Sequence, residues 1–199
     1  MTASIIPLPR YYGPKRRPKR GRPPKNQPKA KVIQLNAVNQ VKTAYSLYCE
    51  ASKIDETDPA AAIPLYEQSI ALDPNLAIAY VNLGNCYFRR HDHAKAQALY
   101  EQALSIDPRI PEGLYNLGYL YLERGDPSNL ERALHYFSES LKADPSFPDA
   151  HFNYAMALEQ VSPQTPMNVM RAQYHWRRYI KLEPRETLWV EIAKRHLVG

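Results

Sequence analysis

The chain has 199 residues and 22.9 kDa, with 44% hydrophobic and 11% aromatic residues, enough for one or two domains with a real core. Its net charge of +6 is uneven: residues 1–31 hold ten Lys/Arg and no acid, which leaves 16 basic against 20 acidic residues for the rest. No apolar run approaches the roughly 20 residues of a transmembrane helix, residues 4–8 are too short for a signal-peptide core, and two cysteines, Cys49 and Cys86, build no disulfide framework, so neither a membrane nor a secreted protein is expected.

Residues 1–36 form the first segment. Seven of the 18 prolines fall in its first 31 residues, and proline at that density with little apolar surface predicts a disordered arm. Within it, Pro18-Lys19-Arg20-Gly21-Arg22-Pro23-Pro24-Lys25 resembles an AT-hook, the short motif centred on Gly-Arg-Pro. The resemblance implies binding to A·T-rich DNA. Gly21 lets the backbone lie on the floor of a narrow minor groove, Arg20 and Arg22 extend along it, and Pro23 keeps the chain extended. Arg16, Arg17, Lys19 and Lys25 would contact phosphates, adding affinity without reading sequence. A generic polybasic segment, serving localisation or contact with an acidic surface, is the competing reading.

From residue 37 to 184 the chain repeats. Four copies of one pattern occur: Ala62-x3-Tyr66…Pro74, Ala96-x3-Tyr100…Pro108, Ala133-x3-Phe137…Pro145 and Ala172-x3-Trp176…Pro184, the alanines 34, 37 and 39 apart. Tyr80-x2-Leu83-Gly84-x2-Tyr87 precedes the second copy, Leu114-x2-Leu117-Gly118-x2-Tyr121 the third, and His151-x2-Tyr154-Ala155-x2-Leu158 the fourth. In the first copy, Tyr45, Tyr48, Cys49 and Ser52 fit only with one extra residue before Ala62. These motifs resemble the tetratricopeptide repeat (TPR), a 34-residue helix–turn–helix unit. The expected fold is all-α: a solenoid of about four helix pairs, preceded by the arm and closed by an amphipathic capping helix in residues 185–199. Asp-Pro and Glu-Pro pairs end each second helix, because proline disfavours helix before it.

The resemblance also implies a groove lined by the first helix of each pair. Carried over by register, its lining is Val81, Asn82, Asn85, Phe88 and Arg89, then Tyr115, Asn116, Tyr119 and Leu122, then Phe152, Asn153, Met156 and Glu159. Asn82, Asn116 and Asn153 recur in one register, and an amide can donate to and accept from the main chain of an extended peptide. The same asparagines can instead bridge neighbouring helices. Carboxylate-clamp TPRs, which hold acidic tails, need lysines here, whereas Val81 and Tyr115 are apolar and Asp149 is acidic.

His91-Asp92-His93 lacks further ligands at metal spacing and reads as a solvated turn. The two cysteines read as buried free thiols. There is no Gly-rich phosphate loop, nucleophile elbow or distinct acid–base pair, so no metal, cofactor or catalytic residue is expected. The leading expectation is a non-enzymatic adaptor, cytoplasmic or nucleoid-associated (nuclear in a eukaryote), with a protein or peptide partner in the groove and A·T-rich DNA on the arm. The alternative is an assembly factor or secretion-type chaperone whose arm is only a localisation or polyelectrolyte contact. Self-association into a homo-oligomer is a third expectation.

Overall fold

The computed structural model describes residues 42–161, 163–183 and 186–198. Over these the chain runs as consecutive helical hairpins: α1 (Ala44–Ile54) with α2 (Pro59–Leu72), α3 (Ala77–Arg89) with α4 (His93–Ile106), α5 (Pro111–Arg124) with α6 (Pro127–Ala143), and α7 (Pro148–Glu159) with α8 (Pro166–Leu182). A further helix, α9 (Leu188–Val198), packs on α8. Among the described residues there is no strand, and the helices form an all-α solenoid of four pairs plus a terminal helix. The basic arm and the boundary expected at residue 36 lie outside the described residues.

Local chemistry sets the helix ends. Asp58, Asp92, Asp126 and Thr165 cap the second helices by accepting backbone N–H groups of the first turn, and Pro59, Pro127 and Pro166 open three of them. Asp73, Asp107, Asp144 and Glu183, each just before a proline, leave the helical conformation and end these helices. Gly125 closes α5 at a φ of 71°, in the left-handed region that glycine enters without a Cβ penalty.

Within a pair, a small residue on the first helix meets an aromatic on the second. A Cβ placed on Gly84 would come within 2.5 Å of the Tyr100 ring, and one on Gly118 within 2.8 Å of Phe137. Tyr66, Tyr100, Phe137 and Trp176 are all essentially inaccessible to solvent. Ala51 and Ala155 occupy the matching place in α1 and α7.

The first repeat therefore corrects the register drawn from sequence. Leu47, Tyr48 and Ala51 face the core, while Tyr45, expected to be its leading aromatic, is 56% exposed. Ala62 follows the small residue of α1, Ala51, by 11 positions rather than the 13 counted from Cys49, so the spacing within this repeat is shorter than the 12 from Gly84 to Ala96 rather than longer.

Successive first helices approach one another more closely than successive second helices do (α3 touches α5, and α5 touches α7). The stack therefore curves with the first helices on its inner side. At its far end Phe152 meets Trp176, Tyr179 and Trp189 edge-on, at centroid distances of 4.9, 5.1 and 5.7 Å. The favoured edge-to-face geometry joins α9 to the last pair. α9 follows the first-helix pattern as Trp189-x2-Ile192-Ala193-x2-His196, with Ala193 fully buried at the small position.

Candidate functional site

The small residue of each first helix fixes which side chains reach the inner side. Counting from it, one face comprises Tyr45, Cys49 and Ser52 on α1, with Glu56 in the turn that follows, and Ile78, Asn82, Asn85 and Arg89 on α3. The same face is Glu112, Asn116, Tyr119 and Glu123 on α5, and Asp149, Asn153, Met156 and Gln160 at α7. This i, i+4, i+7, i+11 spacing is one helical stripe. Every one of these residues except Asn153 keeps solvent access.

That stripe is narrower than the lining expected from sequence. Val81, Tyr115, Phe152 and Leu122 are buried rather than presented to a groove. With Tyr48 in the first repeat, Val81, Tyr115 and Phe152 hold one register three residues before the small position, and they pack between repeats. Tyr115 contacts the rings of Phe137 and Phe147, and Phe152 sits among the three aromatics above. Filling the inter-repeat space removes them from solvent, so they have little surface to offer a ligand. Phe88 stays half-buried, against Tyr119 and His93. Glu159 is half-buried as well, but it is engaged by α8 and α9.

The asparagines bridge helices. Asn82 Nδ2 donates to Tyr48 Oη at 3.4 Å, Asn116 Nδ2 to Asn85 Oδ1 at 2.7 Å, and Asn153 Nδ2 to Tyr115 Oη at 2.8 Å. Each bond joins a repeat to the one before it. Asn85 Oδ1 also accepts from Tyr100 Oη at 2.8 Å, so this one amide links both helices of its own repeat to the next. Of the two roles open to these asparagines on sequence, the structure assigns an amide proton of each to bridging. Asn153, only 5% exposed, is consumed by it, with a further bond to the Asp149 carbonyl.

Charge on the stripe is one-sided: Glu56, Glu112, Glu123 and Asp149 face a single cation, Arg89, and no lysine. Arg89 is already committed, its Nη2 donating to the Asp55 carbonyl at 2.6 Å. Asp55, 1% exposed, accepts from the Tyr66 hydroxyl on the other helix of its pair. Burial pushes the Tyr48 phenol up to about 12, with the neighbouring Cys49 adding to the shift and the Asn82 hydrogen bond opposing it. Glu123 lies 3.9 Å from His93 Nδ1.

Two further features flank the stripe. A cavity of about 490 Å³ between α8 and α9 is lined by Glu159, Gln164, Val169, Ala172, Gln173, Arg195 and His196. Its polar groups are engaged internally, since Glu159 meets His196 Nδ1 at 2.8 Å and accepts from Trp176 Nε1 at 2.7 Å. In the turn before α4, His91 adopts a φ of 62°, and Asp92 is spent as the helix cap. Cys86 is buried and Cys49 half-buried, both as free thiols.

The expected DNA-contacting residues Arg16, Arg17, Lys19, Arg20, Gly21, Arg22, Pro23 and Lys25 lie outside the described residues. The carboxylates Glu112 and Glu123 and the apolar Ile78 were missed in the lining, and the stripe spacing anchored on Gly84 and Gly118 is the signal that finds them. Among the described residues no helix is long and apolar enough to cross a membrane.

Sequence profiles of the tetratricopeptide repeat match residues 77–110 and 99–134. No curated protein matches the chain. Among solved structures, the crystal structure of MamA aligns at a TM-score of 0.56 with 19% identity, over 70% of this chain and 77% of that one. An O-GlcNAc transferase of Thermobaculum terrenum aligns at 0.60 with 22% identity over 68% of this chain, which spans only 26% of the transferase. The first TPR of Spaghetti (RPAP3), bound to the HSP90 peptide SRMEEVD, aligns at 0.53 with 19% identity, over 59% of this chain and 91% of that one. At these identities the likeness is one of fold.

Proposed function

Because the chain is a tetratricopeptide-repeat protein, we propose that it works as a non-enzymatic adaptor that takes an extended segment of a partner protein along the inner stripe of its first helices. The observation that carries this reading is the continuous half-exposed stripe through α1, α3 and α5. There Ile78, Asn85, Asn116 and Tyr119 offer apolar area and amides beside carboxylates. The same charge pattern favours a neutral or basic segment over an acidic tail: four carboxylates face one arginine that a backbone carbonyl already holds.

The test places a photo-crosslinking amino acid at Ile78, at Tyr119, or at the exposed Gln102 of α4, in the full chain in its native cells. Partner capture from Ile78 and Tyr119 but not Gln102 supports the reading, and capture only from Gln102 overturns it. Saturable binding of the peptide SRMEEVD that is lost with Tyr119→Ala would overturn the charge preference. For the arm, we propose tethering to A·T-rich DNA, resting on ten cations, no acid and the Gly21-Arg22-Pro23 core. Anisotropy titrations should show A·T preference that Arg22→Ala abolishes. Equal, salt-sensitive binding to A·T and G·C duplexes would leave the arm a polycation and the inner stripe the whole function.

A further inference from the structure

The second helices share an outward column of residues, set by the alanine that packs inward on each. In α8 that column is Met167, Met170, Tyr174, Arg177 and Lys181. All five are exposed, the first three at 63%, 65% and 55%. The equivalent positions of the other repeats are exposed too, which confirms the register, but they carry Ala60 and Pro64 in α2, Ala94 and Ala98 in α4, and Glu131 and His135 in α6. Small or polar residues suit an outer surface. Only α8 places large apolar side chains there, and isolated exposed apolar residues become informative when they cluster on one face.

The spacing of the column is also specific. Steps of three, four, three and four residues make the a/d seam of a helix that packs against another helix. The seam runs about 21 Å at 1.5 Å per residue. Its first three positions are apolar and adaptable, methionine in particular conforming to irregular partners, and its last two are cationic. No Asp or Glu occurs anywhere in α8.

We propose that this seam is a second docking surface, separate from the inner stripe, and that it takes an amphipathic helix of a partner protein, apolar along one half of its seam and acidic along the other. Charge complementarity excludes the simplest alternative, a second copy of α8. Antiparallel pairing sets Arg177 and Lys181 against the apolar half of the copy, and parallel pairing sets cation against cation. An anionic membrane fits less well, because a helix lying in the bilayer interface keeps its apolar face along its length, whereas here the cations lie in line with the methionines. The proposal does not rest on the inner-stripe reading.

The probe is a displayed library of helices randomised at their a and d positions, selected on the full-length protein. The control variant carries the residues α6 already tolerates in this column, Met167→Ser, Met170→Glu and Tyr174→His, with circular dichroism checking its fold. Enriched helices should have apolar residues in one half of the seam and Asp or Glu in the other. Their affinity should fall about tenfold or more in the control variant and in Arg177→Glu/Lys181→Glu, while Tyr119→Ala leaves it unchanged. Lysines at the acidic positions of a selected helix should restore binding to the charge-reversed protein. Failure to enrich helices whose binding needs these residues overturns the proposal. So does association with phosphatidylserine vesicles through the same residues in place of helix binding.

Discussion

Replacing Gly84 by alanine isolates the contact that holds each helix pair together. The new methyl would sit 2.5 Å and 2.8 Å from two carbons of the Tyr100 ring, well inside van der Waals contact. Tyr100 cannot swing aside, because its hydroxyl is fixed to Asn85 Oδ1 at 2.8 Å and the ring is only 1% exposed. Overpacking of this kind destabilises by about 1–3 kcal/mol, and a pinned ring places it near the upper end. Alanine regains about 1 kcal/mol over glycine in a helix interior, which leaves a net loss of about 2 kcal/mol. For a body of this size that lowers Tm by about 4–8 °C. Gly118→Ala makes the comparison: two carbons of the equally buried Phe137 ring at 2.8 Å and the Ala133 carbonyl at 3.3 Å crowd it, but the ring has no hydroxyl to pin it, so the net loss should be smaller, about 1 kcal/mol. Thermal and urea unfolding of the two variants, each with and without Tyr100→Phe, completes a double-mutant cycle. Tyr100→Phe should recover part of the Gly84→Ala loss and none of the Gly118→Ala loss. Equal losses for the two glycines, or a Gly84→Ala protein as stable as the parent, would refute the pinned-ring account.

Three other outcomes are expected. Tyr66→Phe withdraws a donor from the buried Asp55 carboxyl and should lower stability by about 1.5–3 kcal/mol in urea unfolding; a neutral effect would mean Asp55 is satisfied without it. His151 and His175 meet Nδ1 to Nδ1 at 2.7 Å while His151 Nε2 donates to the Pro145 carbonyl at 3.1 Å, so a single proton lies between the two Nδ1 atoms and the pair cannot take up a full charge on both rings. Burial holds both below the ordinary histidine range, His175 down to about 3 with help from His151 and the Arg171 and Arg178 charges. Lowered folded-state values mean that the contribution is complete above the unfolded value near 6.5 and is lost as pH falls from there towards 3. Stability should drop by about 1–2 kcal/mol between pH 7 and 5, and His175→Gln should flatten that slope; an unchanged slope would place the proton uptake elsewhere. Gly125→Ala forces a Cβ into the left-handed region at the end of α5 and should destabilise by about 1 kcal/mol, measurable as a shift in the urea midpoint.

The repeats were legible because their chemistry is local. Gly84, Gly118 and the Asp-Pro pairs announce where helices meet and where they stop, and the structure places those features as expected. The register of α1 was not, because Ala51 looks like any alanine and Tyr45 offered a more conspicuous aromatic; only burial distinguishes them. Val81, Tyr115 and Phe152 were assigned to a groove because periodicity gives the face of a helix to within a quarter turn. The boundary between inner side and inter-repeat space falls inside that margin. The bridging asparagines show the same limit. Their recurrence was visible, but donor and acceptor partners more than 30 residues away are a property of the stack.

The asparagine bridges have a consequence for how the molecule opens. Every substantial helix–helix contact lies within a repeat or between adjacent repeats, and the three bridges each stitch one joint. Strain applied at one joint therefore reaches another only through the repeat between them, as in a row of coupled springs rather than a single block. Amide protons should record this as a gradient: exchange slowest in α4 and α5, which have neighbours on both sides, and faster towards α1 and α9, each helix releasing its protons in proportion to the joints that must part.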